Sequence, residues 1–493
     1  MTDPGPMLRV SVGSRTNAAA VLDAAREESA VPVREVGPTG ASALDPLVAA
    51  TLDGTTAFHA ACTPDRVRTL CEALEDGTLP SDRASAVVDH DRETETLPVP
   101  DGPPLGVGVR RTLARAGWAR PDVPAAFEPL VSTDADPDAT RERVAAAGLR
   151  GRGRGDARVD DPVSEAWTTA READGEPVVV VNANEADPTT DADRLLVESV
   201  TVAVLDGALA VAAAVGADDV VVHLPASASL AASRLRAAAD RLDAAVDVVG
   251  GPEDYLAGEP TMALEALEGA DRLEARRRPP GPASYGLFGR PTVVHTPRTL
   301  VAVRRALAGA TAPTRLVTVS GDVRARATVE LPAEGSLATA LDAVSPTDGV
   351  KMACVGGRFG GLTRELDVGP TASALRSAGL GTNGALEVLG RDRCAVATAG
   401  ERASAASEST CGRCVPCREG TRQVTDLLRA VYDGEYEASK IRELVRVIGE
   451  TSLCSFGRDA ARPVRTAIER FEPEFVAHAE GRCPTGACEE GSA

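Results

Sequence analysis

The pattern of hydrophobic and polar residues changes along the chain. Residues 1–100 alternate strand patterns with helix patterns, which predicts a small α/β unit. The run EPVVVVNANEADP at 176–188 predicts a buried parallel strand ending in a polar turn, the place where open α/β sheets bind ligands. Residues 313–395 carry short strand-like runs separated by turns, which predicts a β-rich unit.

Apolar residues at helical spacing dominate the last quarter of the chain. Two stripes consist of Val424, Leu427, Leu428 and Val431, and of Ile441, Leu444, Val445 and Ile448. Gly434 interrupts the pattern between the stripes, and a further helix fits 459–479. The pattern predicts a small helical bundle with cysteines in loops and at helix starts.

Composition narrows the classes of partner. The 493 residues correspond to about three domains. They include 73 acidic and 53 basic side chains, a net charge of −20, which argues against nucleic acid or an anionic membrane as the main partner. Only Lys351 and Lys440 are lysines, and an acidic, lysine-poor composition is what a salt-rich (halophilic) cytoplasm favours.

No membrane-targeting segment is predicted. Residues 1–20 lack the basic start and apolar run of a signal peptide. The most apolar stretch, Val200–Ala217, contains Asp206 and is expected to be a buried helix rather than a membrane span. We therefore expect a cytoplasmic protein with no direct membrane span.

The cysteines carry the clearest chemical signal. Cys411, Cys414 and Cys417 are each separated by two residues, and Cys454 follows in SLCSFG. Three thiolates at this spacing can converge on one iron–sulfur cube, with Cys454 as the fourth ligand, so the sequence predicts a 4Fe-4S cluster. Structural zinc and unligated thiols are the alternatives, and zinc sites more often use two separated cysteine pairs.

The cysteine region resembles a known family. The runs ESTCGRCVPCREGT and SLCSFGRDAARPVRTAIERFEPEFVAHAE resemble the iron–sulfur region of the flavin- and NADH-binding subunit of respiratory complex I, the NuoF type. The same subunit type occurs in NAD-linked hydrogenases and formate dehydrogenases. The resemblance implies that Cys411, Cys414, Cys417 and Cys454 are the cluster ligands, and that other subunits of an electron-transfer complex are the partners.

The resemblance extends to a Rossmann-like flavin domain. GLRGRG at 148–153, NANEADP at 182–188, and the segments around 246–269 and 278–299 match the family's cofactor segments in order. The flavin contacts this implies are Gly151, Arg152, Gly153, Asn182, Glu185, Tyr255, Gly258, Glu259 and Thr299. No catalytic residue is assigned.

Several cofactor motifs depart from the family pattern. Arg154 stands where the family has a glycine that approaches the cofactor, and no lysine precedes Trp167. The segment from His295 to Thr299 lacks the family's two asparagines and its glutamate.

Two functions stay open. One is an oxidoreductase of the NADH dehydrogenase type that passes electrons from NADH through FMN to the 4Fe-4S cluster; the other is a non-catalytic iron–sulfur relay or scaffold subunit that has lost FMN and NADH.

The resemblance divides the chain into six parts. These are a thioredoxin-like unit at 1–100 without cluster cysteines, a linker and helical lead-in at 101–145, the FMN/NADH-type α/β domain at 146–312, a β-grasp domain of the SLBB type at 313–395, the helical 4Fe-4S domain at 396–480 and a tail at 481–493.

The remaining cysteines and histidines are given minor roles. Cys62, Cys71, Cys354 and Cys394 are expected to be structural thiols, and His59, His90, His223 and His478 to be structural or surface residues. For Cys483 and Cys488 in the tail, three alternatives stay open: a metal shared with a partner, a transient disulfide, or an inherited remnant without function.

Overall fold

The computed structural model describes residues 5–131, 136–310 and 312–488. Within these ranges the chain forms three sheets and a C-terminal helical region. The first residues of the expected N-terminal unit, 1–4, and the end of the expected tail, 489–493, lie outside the described residues, as do 132–135 in the expected linker and residue 311.

The N-terminal sheet is mixed. Its elements are β1 (Met7–Ser11), α1 (Ala19–Glu28), β2 (Val33–Val36), β3 (Val48–Leu52), β4 (Thr55–His59), α2 (Pro64–Glu75) and β5 (Ala86–Asp89). The strand order is β2-β1-β3-β4-β5, with β1 and β2 parallel and the other neighbours antiparallel. Cys62 follows β4 and Cys71 lies on α2, and both are buried in the apolar core that Leu8 and Leu70 also line.

The central sheet is entirely parallel. Its elements are α3 (Pro137–Ala146), α4 (Val163–Glu172), β6 (Val178–Asn182), α5 (Ala192–Ser199), α6 (Thr201–Val215), β7 (Asp219–Pro225), α7 (Ser229–Arg241), β8 (Val246–Gly251), α8 (Pro260–Leu267), β9 (Thr292–His295) and α9 (Pro297–Leu307). The strand order is β8-β7-β6-β9.

The predicted buried strand is β6, at the interior of this sheet. Val179 and Val181 belong to the core that contains α6, whereas Val178 and Val180 face the core that contains Leu264 on α8. Because side chains alternate along a strand and both faces are covered, an uninterrupted apolar run is required here. The strand ends at Asn182, which delivers the following polar loop to the carboxyl edge of the sheet.

Helix α6 is the apolar stretch that the sequence predicts to be buried. Its Asp206 is buried and accepts hydrogen bonds from the Val131 amide and from Arg304 Nε at 2.7 Å. In the part of the chain that the structure describes, no single helix is long and apolar enough to cross a membrane. Helices α5 and α6 together reach that length and composition, but the chain bends by 100° between them.

The third sheet is mixed and precedes the helical region. Its elements are β10 (Thr314–Gly321), β11 (Ala327–Pro332), β12 (Met352–Val355), β13 (Gly361–Thr363), α10 (Ala372–Ser377) and β14 (Ala385–Leu389). The strand order is β11-β10-β14-β12-β13, in which only β10 and β14 are parallel.

The C-terminal region is helical, as predicted. Its helices are α11 (Ala395–Glu408), α12 (Val415–Ala430), α13 (Ala438–Thr451), α14 (Ser455–Ala460) and α15 (Arg462–Ala479). The predicted break occurs at Gly434, which has φ of 90° after a short 3-10 turn. Helix α11 packs against α12 and α15, and Phe471 and Phe475 of α15 are fully buried in the shared core.

We predict opposite effects for two helical glycine substitutions. A Cβ atom at Gly207 of α6 would clash with the Leu300 carbonyl oxygen of α9, whereas a Cβ at Gly400 of α11 would meet no atom within 4 Å. Gly207→Ala should therefore lower the free energy of unfolding by about 1–3 kcal/mol because the helices must separate. Gly400→Ala should raise it by about 0.5–1 kcal/mol through helix propensity. Thermal unfolding of both proteins measures this, and a Gly207→Ala protein at least as stable as Gly400→Ala would contradict the packing.

Candidate functional site

Helix starts position three of the four predicted cluster ligands. Cys411 lies in the loop after α11, Cys414 is the N-cap of α12, and Cys417 lies in the first turn of α12. Cys454 is the N-cap of α14. Cys414 and Cys417 thus lie at the start of a 16-residue helix, where the helix dipole favours negative charge such as thiolate.

The four cysteines share one apolar cluster. Cys417 and Cys454 are buried members of the cluster that contains Phe456, and Cys411 and Cys414 are partly exposed and pack against it. Thr410 Oγ1 lies 3.3 Å from Cys417 Sγ. The structure therefore brings together all the cysteines that the sequence assigned to a 4Fe-4S cluster.

The distances between the sulfur atoms of these cysteines distinguish a 4Fe-4S cube from a single zinc ion. A tetrahedral zinc with Zn–S bonds of about 2.3 Å places its sulfur ligands about 3.8 Å apart. Among the described residues, one group of three or more Cys, His, Asp or Glu side chains has all ligand atoms within 4.8 Å, and it does not include Cys411, Cys414, Cys417 or Cys454. No three of these four sulfurs therefore lie within 4.8 Å of one another, a spacing that fits an iron–sulfur cube better than one zinc ion.

Burial raises the pKa of two of these thiols. It raises the pKa of Cys417 to about 11 and that of Cys454 to about 12, and the nearby Cys411 thiol adds to both effects. Because only thiolates ligate iron, cluster assembly must displace protons from these side chains.

The predicted flavin contacts also converge, at the carboxyl edge of the central sheet. Asn182 ends β6, and its side-chain amide donates to the carbonyl oxygens of Gly155 at 3.1 Å and Gly258 at 3.2 Å. Glu259 caps α8 by accepting from the backbone amides of Thr261 and Met262. These side chains are thus engaged by other protein groups, and their contact with a flavin stays a prediction.

Arg154 occupies the space beside Gly258. Its guanidinium lies 3.7 Å from the centre of the Tyr255 ring and donates to the Tyr255 carbonyl oxygen, while its backbone amide donates to Asn383 Oδ1 at 3.0 Å. A Cβ at Gly258 would lie 2.5 Å from Arg154 Nη2. The side chain that replaces the family glycine therefore fills the place where backbone could approach a cofactor.

Arg298 covers the other side of the loop. It pairs with Asp193 (Nη2–Oδ2, 2.6 Å), and a Cβ at Gly153 would lie 2.7 Å from Arg298 Nη2. Burial opposes the charge of Arg298, but the carboxylates of Asp193 and Glu185 raise its pKa above the usual range. Burial, reinforced by Asp193, raises the pKa of Glu185 to about 7.

Asp156 organises the third part of this edge, and the sequence pattern did not reveal it. Its Oδ1 lies 2.6 Å from His295 Nδ1, and His295 Nε2 in turn accepts from Trp167 Nε1 at 2.8 Å. Asp156 Oδ2 accepts from the Arg152 amide and from the hydroxyl of Thr299 at 2.7 Å. An aspartate in a glycine-rich loop is a weak signal by itself, since its partner His295 lies 139 residues away.

Arginine side chains fill the space beside two glycines of the predicted flavin site: Arg298 lies against Gly153, and Arg154 lies against Gly258. The cavity lined by Arg152, Gly153 and Arg298 measures about 20 Å³, room for about one water molecule, and Asn182 and Gly258 do not line it.

Comparison with known proteins places these sites in a family context. The family model described as the NADH-ubiquinone oxidoreductase-F iron-sulfur binding region matches residues 397–478, and the Nuo51 FMN-binding domain model matches residues 144–305. The chain thus contains a 4Fe-4S binding region and an FMN-binding domain by descent.

Individual relatives agree with these matches. The second F-type subunit of the NADH-quinone oxidoreductase of Rhizobium meliloti (strain 1021) is 31% identical over 390 residues, 71% of this chain and 90% of the relative. The NADP-reducing hydrogenase subunit HndC of Solidesulfovibrio fructosivorans is 26% identical over 384 residues, 70% of this chain and 77% of the relative. The crystal structure of an NAD⁺-reducing [NiFe]-hydrogenase in the H₂-reduced state has the same fold, with a TM-score of 0.67 and 24% identity over 97% of this chain and 86% of its own.

We predict that Cys417→Ser removes the 4Fe-4S cluster, because a buried serine hydroxyl cannot replace the thiolate that iron requires. The broad visible absorption of the anaerobically purified protein and its low-temperature EPR signal after reduction should both disappear. Cys354→Ser is the matched control, since Cys354 is a buried thiol on β12 outside the four ligands. An EPR signal unchanged in Cys417→Ser would refute the ligand assignment.

We also predict that Asp156→Ala strongly destabilises the protein. The substitution leaves buried donors of Arg152, Thr299 and His295 without their acceptor, and should lower the free energy of unfolding by about 3 kcal/mol. Asp161→Ala on the same loop removes only a half-exposed ion pair of 3.6 Å to Arg158, and should change stability little. Equal melting temperatures for the two variants would argue against the network.

Proposed function

Since the chain belongs to the family of F-type (NuoF) subunits of NADH-quinone oxidoreductase, we propose that it is an electron-transfer subunit of a multi-subunit oxidoreductase, with Cys411, Cys414, Cys417 and Cys454 holding a 4Fe-4S cluster. Family members pass electrons from NADH through FMN to such a cluster. In this chain, we propose, the cluster acts as a relay, and electrons reach it from a cofactor of another subunit.

One observation carries the relay proposal: two buried arginine side chains lie against glycines of the predicted flavin site. Arg154 is stacked on Tyr255 beside Gly258, and Arg298 is paired with Asp193 beside Gly153. Separating a buried ion from its partner costs several kcal/mol, which a flavin would have to offset by new contacts.

An aromatic group supports the electron-transfer part of the proposal. The rings of Tyr255, Phe359 and Phe456 contact one another edge to face, with centroids 5.2–6.0 Å apart. Phe456 lies two residues after Cys454, and the guanidinium of Arg154 stacks on the ring of Tyr255. The cluster site therefore lies against apolar side chains. Burial of this kind is one means by which a protein sets the reduction potential of an iron–sulfur cluster.

A second function has an observation in its favour. Asn182, Glu185 and Glu259 are still present at the carboxyl edge of the sheet, the position where parallel α/β sheets bind ligands. If Arg154 can swing away from Tyr255, the chain would act as an NADH-oxidising flavoprotein of the family type.

We further propose a role for each part of the chain. The order β2-β1-β3-β4 supports a thioredoxin-like unit at 1–100 without a cluster, and the mixed sheet supports a β-grasp unit at 313–395. The FMN-type domain at 146–312 and the helical domain at 396–480 complete the division, with 101–145 as linker and 481–493 as tail. A cytoplasmic location in the peripheral part of a complex is consistent with the fold shared with the hydrogenase.

Flavin analysis of the anaerobically purified full chain tests the proposal that the chain is a relay without FMN. We expect iron and sulfide in equal amounts, no flavin released by acid, no bleaching by NADH, and bleaching by dithionite. Arg154→Gly removes the stacked guanidinium and should allow FMN uptake during reconstitution. Arg158→Gly, a change of a half-exposed arginine on the same loop, serves as the control that binds none. Stoichiometric FMN with NADH bleaching in the unaltered protein would overturn the relay in favour of the flavoprotein.

A further inference from the structure

A second cysteine group lies apart from the four cluster ligands. The ligand atoms of Cys394, His478, Cys483 and Cys488 all lie within 4.8 Å of one another. Cys394 is the N-cap of α11, His478 lies in the last turn of α15, and Cys483 and Cys488 follow α15 in a short turn. Cys394 and His478 are 2% and 4% exposed, and Cys483 and Cys488 pack against the core of the helical region.

This arrangement bears on two sequence-based expectations. The sequence pattern favours structural roles without ligands for Cys394 and His478, and it gives Cys483 and Cys488 a metal site only with the help of a partner protein. The structure places Cys394 and His478 of the same chain beside the tail cysteines, with Cys394 Sγ 3.4 Å from His478 Nε2.

The donor set matches one metal well. Three cysteines and one histidine form a Cys₃His set, one of the standard closed sites of structural zinc. Ligand atoms within 4.8 Å of one another are near the edge length of about 3.8 Å that a zinc–thiolate tetrahedron requires, so small side-chain shifts complete it.

Neighbouring groups hold the ligands in an orientation suited to a metal. His478 Nδ1 donates to the Glu474 carbonyl oxygen at 2.7 Å, which leaves the lone pair of Nε2 directed at the thiols. The Ala397 amide donates to Cys394 Sγ at 3.4 Å, and Thr485 Oγ1 lies 3.3 Å from Cys483 Sγ. Such outer hydrogen bonds stabilise thiolate and fix the imidazole tautomer.

We propose that Cys394, His478, Cys483 and Cys488 bind one structural Zn²⁺ that fastens the segment after α15 to the start of α11. On binding, three S–H bonds ionise, three Zn–S bonds and one Zn–N bond form, and three protons pass to solvent. The ion closes a loop of the chain between residues 394 and 488, which contains all four cluster cysteines.

The proposed zinc and the 4Fe-4S cluster occupy opposite ends of α11. Cys394 begins this 14-residue helix and Cys411 follows its end, a separation of about 21 Å along the axis. The zinc therefore supports the helices that carry the cluster ligands without contacting the cluster. The proposal holds whether or not the chain binds flavin.

Elemental analysis of the anaerobically purified full chain tests the site. We expect one zinc per chain besides the iron of the cluster, and a zinc absorption-edge spectrum that fits three sulfur ligands and one nitrogen. Cys488→Ser should lose the zinc and keep the iron; Cys414→Ser should do the reverse. Cys354→Ser, which changes a buried thiol in neither group, should keep both metals. Two results would overturn the assignment. One is a Cys488→Ser protein that keeps its zinc, and the other is a Cys414→Ser protein that loses zinc as well as iron.

A second measurement tests the site in the unaltered chain, in case the Cys488→Ser protein fails to fold. Zinc is removed from the unaltered chain by a chelator and replaced by Co²⁺, whose tetrahedral thiolate complexes absorb strongly in the visible region. The difference spectrum between cobalt-loaded and cobalt-free protein should show this band with one Co²⁺ per chain. A protein isolated without metal at this site, or one with a Cys483–Cys488 disulfide in place of metal under zinc-replete anaerobic conditions, would refute the proposal.

Discussion

A charged side chain buried in this fold must meet an opposite charge or a hydrogen-bond partner, and the carboxyl edge of the central sheet is organised by that requirement. Arg298 lies between Asp193 and Glu185, Asp156 accepts from several donors, and Arg154 rests on Tyr255. These pairings hold the glycine-rich loop, α9 and the third sheet together. What the edge can bind therefore depends on which of these partners can be exchanged.

Departures from the family pattern at Arg154 and at His295 lie at the same edge of the sheet. Once Arg154 enters the loop, the open glycine surface is covered, and Thr299 and His295 form their hydrogen bonds within the protein. The observed set of residues leaves Asp156, Thr299 and His295 paired with one another, which is typical of a polar network maintained as a unit.

Sequence periodicity and spacing predicted much of the structure. The valines of β6, the helices on both sides of Gly434 and the grouping of Cys411, Cys414 and Cys417 follow from local pattern or short spacing. The assignment of Cys454 to the same group rests on the family resemblance, because 37 residues separate it from Cys417. The Cys394 and His478 pair could not be predicted in this way, because 84 residues separate them and neither lies in a motif. Likewise, that Arg154 fills the loop rather than pointing to solvent depends on Tyr255, which only the folded chain brings near it.

The scarcity of lysine has a practical consequence. Lys351 is one of the two lysines, and its ammonium is held by Glu474 and by the Arg393 carbonyl oxygen beside the start of α11. Lys440 on α13 is the exposed one, with more than half of its side chain accessible. Amine-directed coupling to an electrode would therefore attach the protein through α13 or through a terminal amine. Molecules attached through Lys440 would present the helical region to the electrode, which suits direct voltammetry of a redox centre in that region.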